Sequence, residues 1–205
     1  MTRNPADERF AHRLEAFSDI VLAFSLGQLA LNSAIPSHAR DVITHPVTFV
    51  AYAVTFGIVV SVWTIHHRLF AEYFSPARAF VALNFVMLGF VVYLSYAMQV
   101  YVRFSEATLQ ADASFATALY FTTLGIVFGL LGVLYVLGVA AQEPAAGVSL
   151  NRGKARAARL LSLGLPLAAG VPITYAMGLP VESAGAGLLV GGVLLGRAIG
   201  RRFPI

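Results

Sequence analysis

The sequence has 205 residues, of which 58% are hydrophobic and 12% charged, and its mean hydropathy is +0.76. A soluble domain keeps about a quarter of its residues charged, so this composition excludes an ordinary soluble domain. The 14 basic and 10 acidic residues give a net charge of +4, and there is no cysteine. The lack of cysteine excludes disulfides, thiolate metal sites and a thiol nucleophile.

Six apolar segments follow one another along the chain, each long enough for the roughly 20 residues that cross a bilayer. They are Ala16–Ile35, Val47–Ile65, Ala79–Val102, Ala113–Ala141, Ala157–Met177 and Val181–Ile199. The charged N-terminal stretch lacks the apolar core of a signal peptide. We therefore predict an all-α membrane protein that forms one six-helix transmembrane unit over residues 1–205. Pro166 and Pro172 are expected to kink the fifth helix.

The basic residues lie almost entirely on one side of the predicted membrane. Twelve of the 14 fall in, or within one helical turn of, the N-terminus, the loops after the second and fourth segments, and the C-terminus. Only Arg40 and Arg103 fall on the other side. By the positive-inside rule, both termini are predicted to be cytoplasmic. Because these residues flank membrane helices and form no separate basic module, the net charge does not indicate a nucleic-acid partner.

Polar side chains within the apolar segments are functional candidates, because they are costly in a membrane. Asp19 lies about one turn into the first segment, and Asn84 lies about two turns into the third. Trp63 and His66 share a face near the end of the second. The topology brings these four residues to a similar depth near the cytoplasmic side, where we expect a hydrogen-bonded cluster. Two interpretations remain open: the cluster joins the helices, or Asp19 or His66 carries protons or ions.

Two further patterns concern helix surfaces. Ser18, Ser25, Gln28 and Asn32 form a polar stripe along the first segment, which by itself would be a candidate pore lining. The sixth segment carries glycines at four-residue steps, which let helix backbones approach closely. These are Gly187, Gly191, Gly192, Gly196 and Gly200.

Three motifs carry a resemblance to a known family. Arg13–Asp19 reads Arg-Leu-Glu-Ala-Phe-Ser-Asp and resembles the Arg-x-x-x-Phe-Ser-Asp signature of the transmembrane protein 175 family of potassium channels. Trp63–Phe70 is similar to that family's Trp-x-x-His-His-Arg-Leu-Phe ending of helix two, and Leu83–Phe85 to its Leu-Asn entry into helix three. The motifs cover the first half of the chain, and the helix count extends the likeness to the remainder.

The resemblance implies an architecture. Prokaryotic members assemble as homotetramers around a pore lined by helix one, without the Thr-Val-Gly-Tyr-Gly filter, which is also missing here. Their constriction is a ring of bulky aliphatic side chains, with a threonine about one turn further along. The resemblance also implies a structural network behind the pore, and its residues here are Arg13, Phe17, Ser18, Asp19, Trp63, His66 and Asn84.

This sequence departs from the family in the implied pore. The corresponding pore-lining residues are Ile20, Phe24, Gly27 and Leu31, with Phe24 at the aliphatic position and Gly27 at the threonine position. The end of helix three also lacks the family's usual Pro-Phe pair. This stripe lies about 110° around the helix from the polar stripe, at 100° per residue. We favour the family orientation, because Ser18 and Asp19 then both point into protein.

The expected function is a potassium-permeable cation channel subunit with a hydrophobic constriction on helix one. Its partners would be potassium or other monovalent cations, lipid and further copies of the chain, in a prokaryotic plasma membrane. Two alternatives remain: a proton leak or proton-coupled transporter, and a non-conducting membrane protein of the same fold. The sequence predicts no cofactor, no metal site and no enzyme, because no nucleophile–base or metal-ligand grouping occurs outside the cluster.

Overall fold

The computed structural model describes residues 5–31, 38, 40, 47–104, 109–142 and 150–202. These ranges contain six long helices and no β-strand, and each helix is long and apolar enough to cross a membrane. The helices are α1 (Pro5–Leu31), α2 (Val47–Tyr73), α3 (Arg78–Phe104), α4 (Gln110–Ala140), α5 (Leu150–Ala176) and α6 (Val181–Gly200). The predicted all-α fold with six long apolar helices is confirmed.

The first two helices are longer than their apolar segments. α1 begins at Pro5 rather than Ala16, with Asp7 and Glu8 in its first turn. Proline is favoured at the start of a helix, where its missing N–H is no loss, and acidic residues stabilise the positive end of the helix dipole. α2 continues past Ile65 to Tyr73, because neither glycine nor proline interrupts that stretch. The predicted end of the first segment, Ile35, lies outside the described residues.

The fifth helix accommodates its prolines without breaking. α5 is α-helical over Leu150–Leu165, forms a π-helical turn over Pro166–Gly170, and is α-helical again over Val171–Ala176. A proline removes one backbone donor, and its ring clashes with the carbonyl four residues before it. In membrane helices, local π-helical adjustment is one way in which the freed backbone groups are bonded again. The short connection to α6 contains Gly178 at φ 67°, a left-handed conformation that favours glycine.

The helices pack around α4, which is the most extensively buried. It lies between α3 and α5 and also contacts α2, whereas α6 packs mainly on α5. α1 occupies the opposite edge, where it contacts α3 and α2. The core along α4 includes Leu124, Leu131 and Tyr135, all essentially without solvent exposure. This arrangement leaves one side of α1 without a partner helix in the described part of the chain.

Glycines set the closest helix contacts in the second half of the chain. A side chain at Gly164 of α5 would collide with the backbone of Gly129 of α4. On α6, Gly192 and Gly196 lie against Ser162 and its neighbours on α5. Several of the predicted packing glycines thus contact a helix of the same chain. A side chain at Gly187 or Gly191, by contrast, would meet nothing within 4 Å.

Candidate functional site

One face of α1 is packed into the chain. Its buried residues recur every three or four positions, which marks a single helix face; they are Leu14, Ser18, Leu22, Ser25 and Leu29. The Ser18 hydroxyl donates to the carbonyl of Leu14 at 2.8 Å. Ser95 of α3 donates its hydroxyl to the carbonyl of Ser25 at 3.1 Å. Two members of the predicted polar stripe therefore face α3 within the same chain.

The opposite face of α1 is uncovered and apolar. Ile20 is 67% exposed, Phe24 57% and Leu31 82%. A side chain added at Gly27 would meet nothing within 4 Å. These are the four residues that the resemblance assigns to the pore. Of the competing polar stripe, Gln28 is half-buried and Asn32 lies outside the described residues.

A buried branch of hydrogen bonds connects α2, α3 and α1, and it consists of His66, Asn84 and Ser18. All three side chains have 0% exposure. His66 Nε2 lies 2.7 Å from Asn84 Oδ1, and since an amide oxygen only accepts, His66 is the donor. The Asn84 amide nitrogen donates to Ser18 Oγ at 3.3 Å. Because Ser18 donates onward to the α1 backbone, the branch ends on a backbone carbonyl of α1.

A lateral branch, formed by Trp63 and Asp19, lies beside it on the α1–α2 flank. The Trp63 indole N–H donates to Asp19 Oδ1 at 2.9 Å. Trp63 stacks on His67 with ring centroids 6.0 Å apart, and His67 Nδ1 lies 2.8 Å from Glu15 Oε1. No hydrogen bond between described residues joins Asp19 to His66 or Asn84. The expected cluster is thus two adjacent branches, one enclosed and one at the surface of the chain.

The remaining residues of the implied network take different positions. Phe17 is 46% exposed and meets Phe85 of α3 edge-on, with ring centroids 5.6 Å apart. Arg13 is exposed and makes none of the hydrogen bonds among the described network residues. At 100° per residue, Arg13 falls on the same uncovered stripe as Phe24. Within a single chain, Arg13 therefore belongs to the uncovered face rather than to the network.

A second polar cluster, which the sequence reasoning missed, joins α2 to α5 at the predicted cytoplasmic ends. Arg156 donates to Glu72 at 2.8 Å, and both side chains are partly exposed. The Tyr135 hydroxyl of α4 donates to the carbonyl of Ile65 at 3.0 Å, and the Tyr73 ring packs beside Tyr135. The sequence did contain a signal for this contact, because Glu72 and Arg156 carry opposite charges at helix ends that are predicted to lie on the same side of the membrane.

The chemistry that these side chains offer is limited. Among the described residues, no three His, Cys, Asp or Glu side chains lie close enough to hold a metal ion. The imidazole of His66 has one nitrogen bonded to Asn84, and Nδ1 has no partner in the described chain. The arrangement is suited to fixing the position of α1. The uncovered face of α1 is left free to contact other molecules.

Comparison with known proteins shows sequence similarity to potassium channels over part of the chain. Residues 13–94 match the family described as endosomal/lysosomal potassium channel TMEM175. The chain is 26% identical over 92 residues to a potassium channel of Marivirga tractuosa, across 45% of this chain and 37% of that protein. It is 25% identical over 130 residues to a potassium channel of Chamaesiphon minutus, across 58% and 63%. Residues 13–94 are therefore similar in sequence to the TMEM175 family.

The fold likeness extends further than the sequence likeness. The crystal structure of a variant of the potassium channel MtTMEM175, in complex with a nanobody–MBP fusion protein, matches with a TM-score of 0.69. The match covers 92% of this chain and 91% of that one, at 16% sequence identity. This chain therefore shares the TMEM175 fold along nearly its whole length and is a multi-pass membrane protein. The sequence matches span less than two thirds of both curated relatives.

Proposed function

We propose that this chain is a subunit of a potassium-permeable cation channel in which copies of α1 surround a central pore. The observation that carries the proposal is the division of α1 into two faces. One face is buried against α2 and α3, and the other presents Ile20, Phe24 and Leu31 without any covering helix in the described chain. The relatives are named as potassium channels, and the TMEM175 resemblance supports a homotetramer with α1 at its axis.

Phe24 would form the constriction of that pore. Phenyl rings around an axis offer no oxygen ligands to replace an ion's hydration shell, so they act as a hydrophobic barrier that gates by dewetting. Gly27 lies about one turn further along and has no side chain to coordinate an ion. We therefore propose a channel that conducts weakly or is closed most of the time, with Phe24 at its narrowest point.

The proposed role of the two hydrogen-bonded branches is structural. A histidine that carries a proton must donate from both ring nitrogens. His66 donates from Nε2 to Asn84, while Nδ1 is enclosed without a described acceptor. This arrangement favours a neutral His66 that fixes α2 to α3, and it does not favour the proton-transport alternative. Asp19 belongs to the separate lateral branch, and no hydrogen bond among the described residues links it to His66.

Ion flux into liposomes containing the purified protein tests the function and the pore face together. Potassium, sodium and protons are measured separately, with protein-free liposomes as the control. Phe24→Ala should widen and wet the pore, which raises cation flux and lowers the discrimination between potassium and sodium. Gln28→Ala is the matched variant for the competing polar face. Unchanged flux in Phe24→Ala with a large change in Gln28→Ala would overturn the proposed pore face, and proton flux alone would overturn the proposed function.

The proposed assembly and location are a homotetramer in the prokaryotic plasma membrane, with both termini cytoplasmic and residues 1–205 forming one channel unit. The orientation is supported by the sequence, which places twelve of the 14 basic residues on one side of the predicted membrane. Native mass spectrometry in mild detergent should give four copies per particle. Only monomers or dimers across several detergents would contradict the tetramer.

A further inference from the structure

A groove of about 470 Å³ lies between the C-terminal end of α4 and the N-terminal end of α5, on the far side of the bundle from α1. Its walls are apolar, and the space exists because several of the lining side chains are small. Val136 and Ala140 contribute from α4, and Leu150, Ala158 and Leu161 from α5. The groove is partly open to the outside of the chain, where the surrounding membrane would contact it.

The charge in this groove lies in the half that is nearer the helix termini. Lys154 is the one charged residue among the described residues that line it. Its side chain is exposed and makes no ion pair with any other described residue. Leu161 lies seven residues further along α5, which is about 10 Å at 1.5 Å per residue. An ammonium group therefore lies in the half of the groove near the helix termini, with Leu150 about one turn beyond it. From Lys154 the apolar walls run toward the middle of the helices.

We propose that this groove binds an anionic phospholipid, with one acyl chain against the apolar walls and the phosphate beside Lys154. Basic pockets between helices at a membrane boundary bind anionic headgroups, and the apolar walls of the groove would contact part of an acyl chain. A zwitterionic lipid would gain the same apolar contact without a net charge to pair with the ammonium. The site depends on the membrane location of the chain and does not require ion conduction.

Lipid retention by the purified full chain tests the proposal, using native mass spectrometry with phosphatidylglycerol and phosphatidylcholine of identical acyl chains. The wild-type protein should retain phosphatidylglycerol in preference. Lys154→Gln should lower that preference roughly fivefold, as expected for one basic side chain at a membrane surface, and Lys154→Arg should restore it. Arg202→Gln, at an exposed residue just beyond the end of α6, is the matched control and should leave the preference unchanged.

A second variant tests the apolar half of the site. Ala158→Phe fills the hollow and should reduce the retention of both lipids. If Lys154→Gln and Arg202→Gln lower the preference equally, only general surface charge is acting and the proposal is overturned. It is also overturned if inorganic phosphate removes the bound phosphatidylglycerol, which would indicate a free-anion site. Loss of the oligomer in Ala158→Phe with lipid retention unchanged would assign the groove to a second copy of the chain. Because Lys154 is exposed, its variants remain informative even if Ala158→Phe fails to fold.

Discussion

Replacing Asn84 by alanine should be among the most destabilising single changes in the first half of the chain. Asn84 is fully buried and is the middle residue of the buried branch. Its side-chain oxygen is the acceptor for His66 Nε2 at 2.7 Å, and its amide donates to Ser18 at 3.3 Å. Alanine removes both interactions and leaves the enclosed His66 N–H without an acceptor.

The magnitude follows from these two bonds. Leaving a buried donor unsatisfied costs about 1–3 kcal/mol. Measured hydrogen bonds between membrane helices average about 0.6 kcal/mol, with the largest near 1.7. We therefore expect Asn84→Ala to lower the free energy of unfolding by about 1–3 kcal/mol. Asp19→Asn should cost less, because Asp19 belongs to the lateral branch and asparagine keeps an oxygen acceptor for Trp63.

The assay is unfolding of the purified protein in mixed micelles by increasing SDS. Trp63 is the single tryptophan of the chain, and its indole is bonded to Asp19, so its emission reports separation of α1 from α2. Ser95→Ala is the matched control, because it removes one buried hydroxyl whose acceptor carbonyl on Ser25 lies within α1. That control should cost less than Asn84→Ala.

A double-mutant cycle gives the refuting result. Replacing both partners of a buried hydrogen bond by apolar groups of similar shape is nearly neutral, whereas replacing one is costly. The double variant His66→Phe/Asn84→Leu should therefore lose less free energy of unfolding than the two single variants lose together. The difference should be about 0.5–3 kcal/mol. Additive losses, or a larger loss in Asp19→Asn than in Asn84→Ala, would refute the assignment of the buried branch as the main connection.

Two further predictions concern the second half of the chain, and thermal unfolding in detergent measures both. Gly164→Ala should lower the free energy of unfolding by about 1–3 kcal/mol, because the added methyl group overpacks against Gly129. Gly187→Ala has open space around it and should change that free energy by no more than about 0.5 kcal/mol. Equal effects of the two variants would contradict the close packing of Gly164 on Gly129. Glu72→Gln should cost at most about 1 kcal/mol, because its ion pair with Arg156 is partly exposed, and a loss as large as that of Asn84→Ala would contradict a peripheral role.

The number and type of helices could be predicted from the sequence because membrane insertion depends on length and apolarity. Boundaries could be predicted less well. Hydropathy marks the part of a helix that lies in lipid, whereas backbone hydrogen bonds continue into charged stretches such as Pro5–Glu15. For the same reason, the continuation of α2 to Tyr73 could not be predicted from hydropathy. Only residues that stop a helix, such as Gly178 with its positive φ, give a boundary that the sequence shows directly.

The candidate cluster could be anticipated because topology fixes depth. Counting turns from the predicted membrane boundary gives a similar depth for Asp19, Trp63, His66 and Asn84. Which side chain bonds to which could not be predicted, since that depends on the rotation of each helix about its axis. The ion pair between Glu72 and Arg156 was missed for a related reason. Its partners are 84 residues apart, and their approach depends on how α5 packs across the bundle.

The residues that match the TMEM175 motifs and those that depart from them differ in their surroundings. Ser18, His66 and Asn84 are enclosed by α1, α2 and α3, so a change at any of them leaves a polar partner without its bond. Phe24 is largely uncovered, and a side chain at Gly27 would contact nothing else in the described chain. Substitution at Phe24 or Gly27 therefore carries little cost to the fold of a single chain. Since the proposed pore is formed by these uncovered positions, the shared fold alone does not determine ion selectivity, and Phe24 and Gly27 are the positions at which selectivity should be tested.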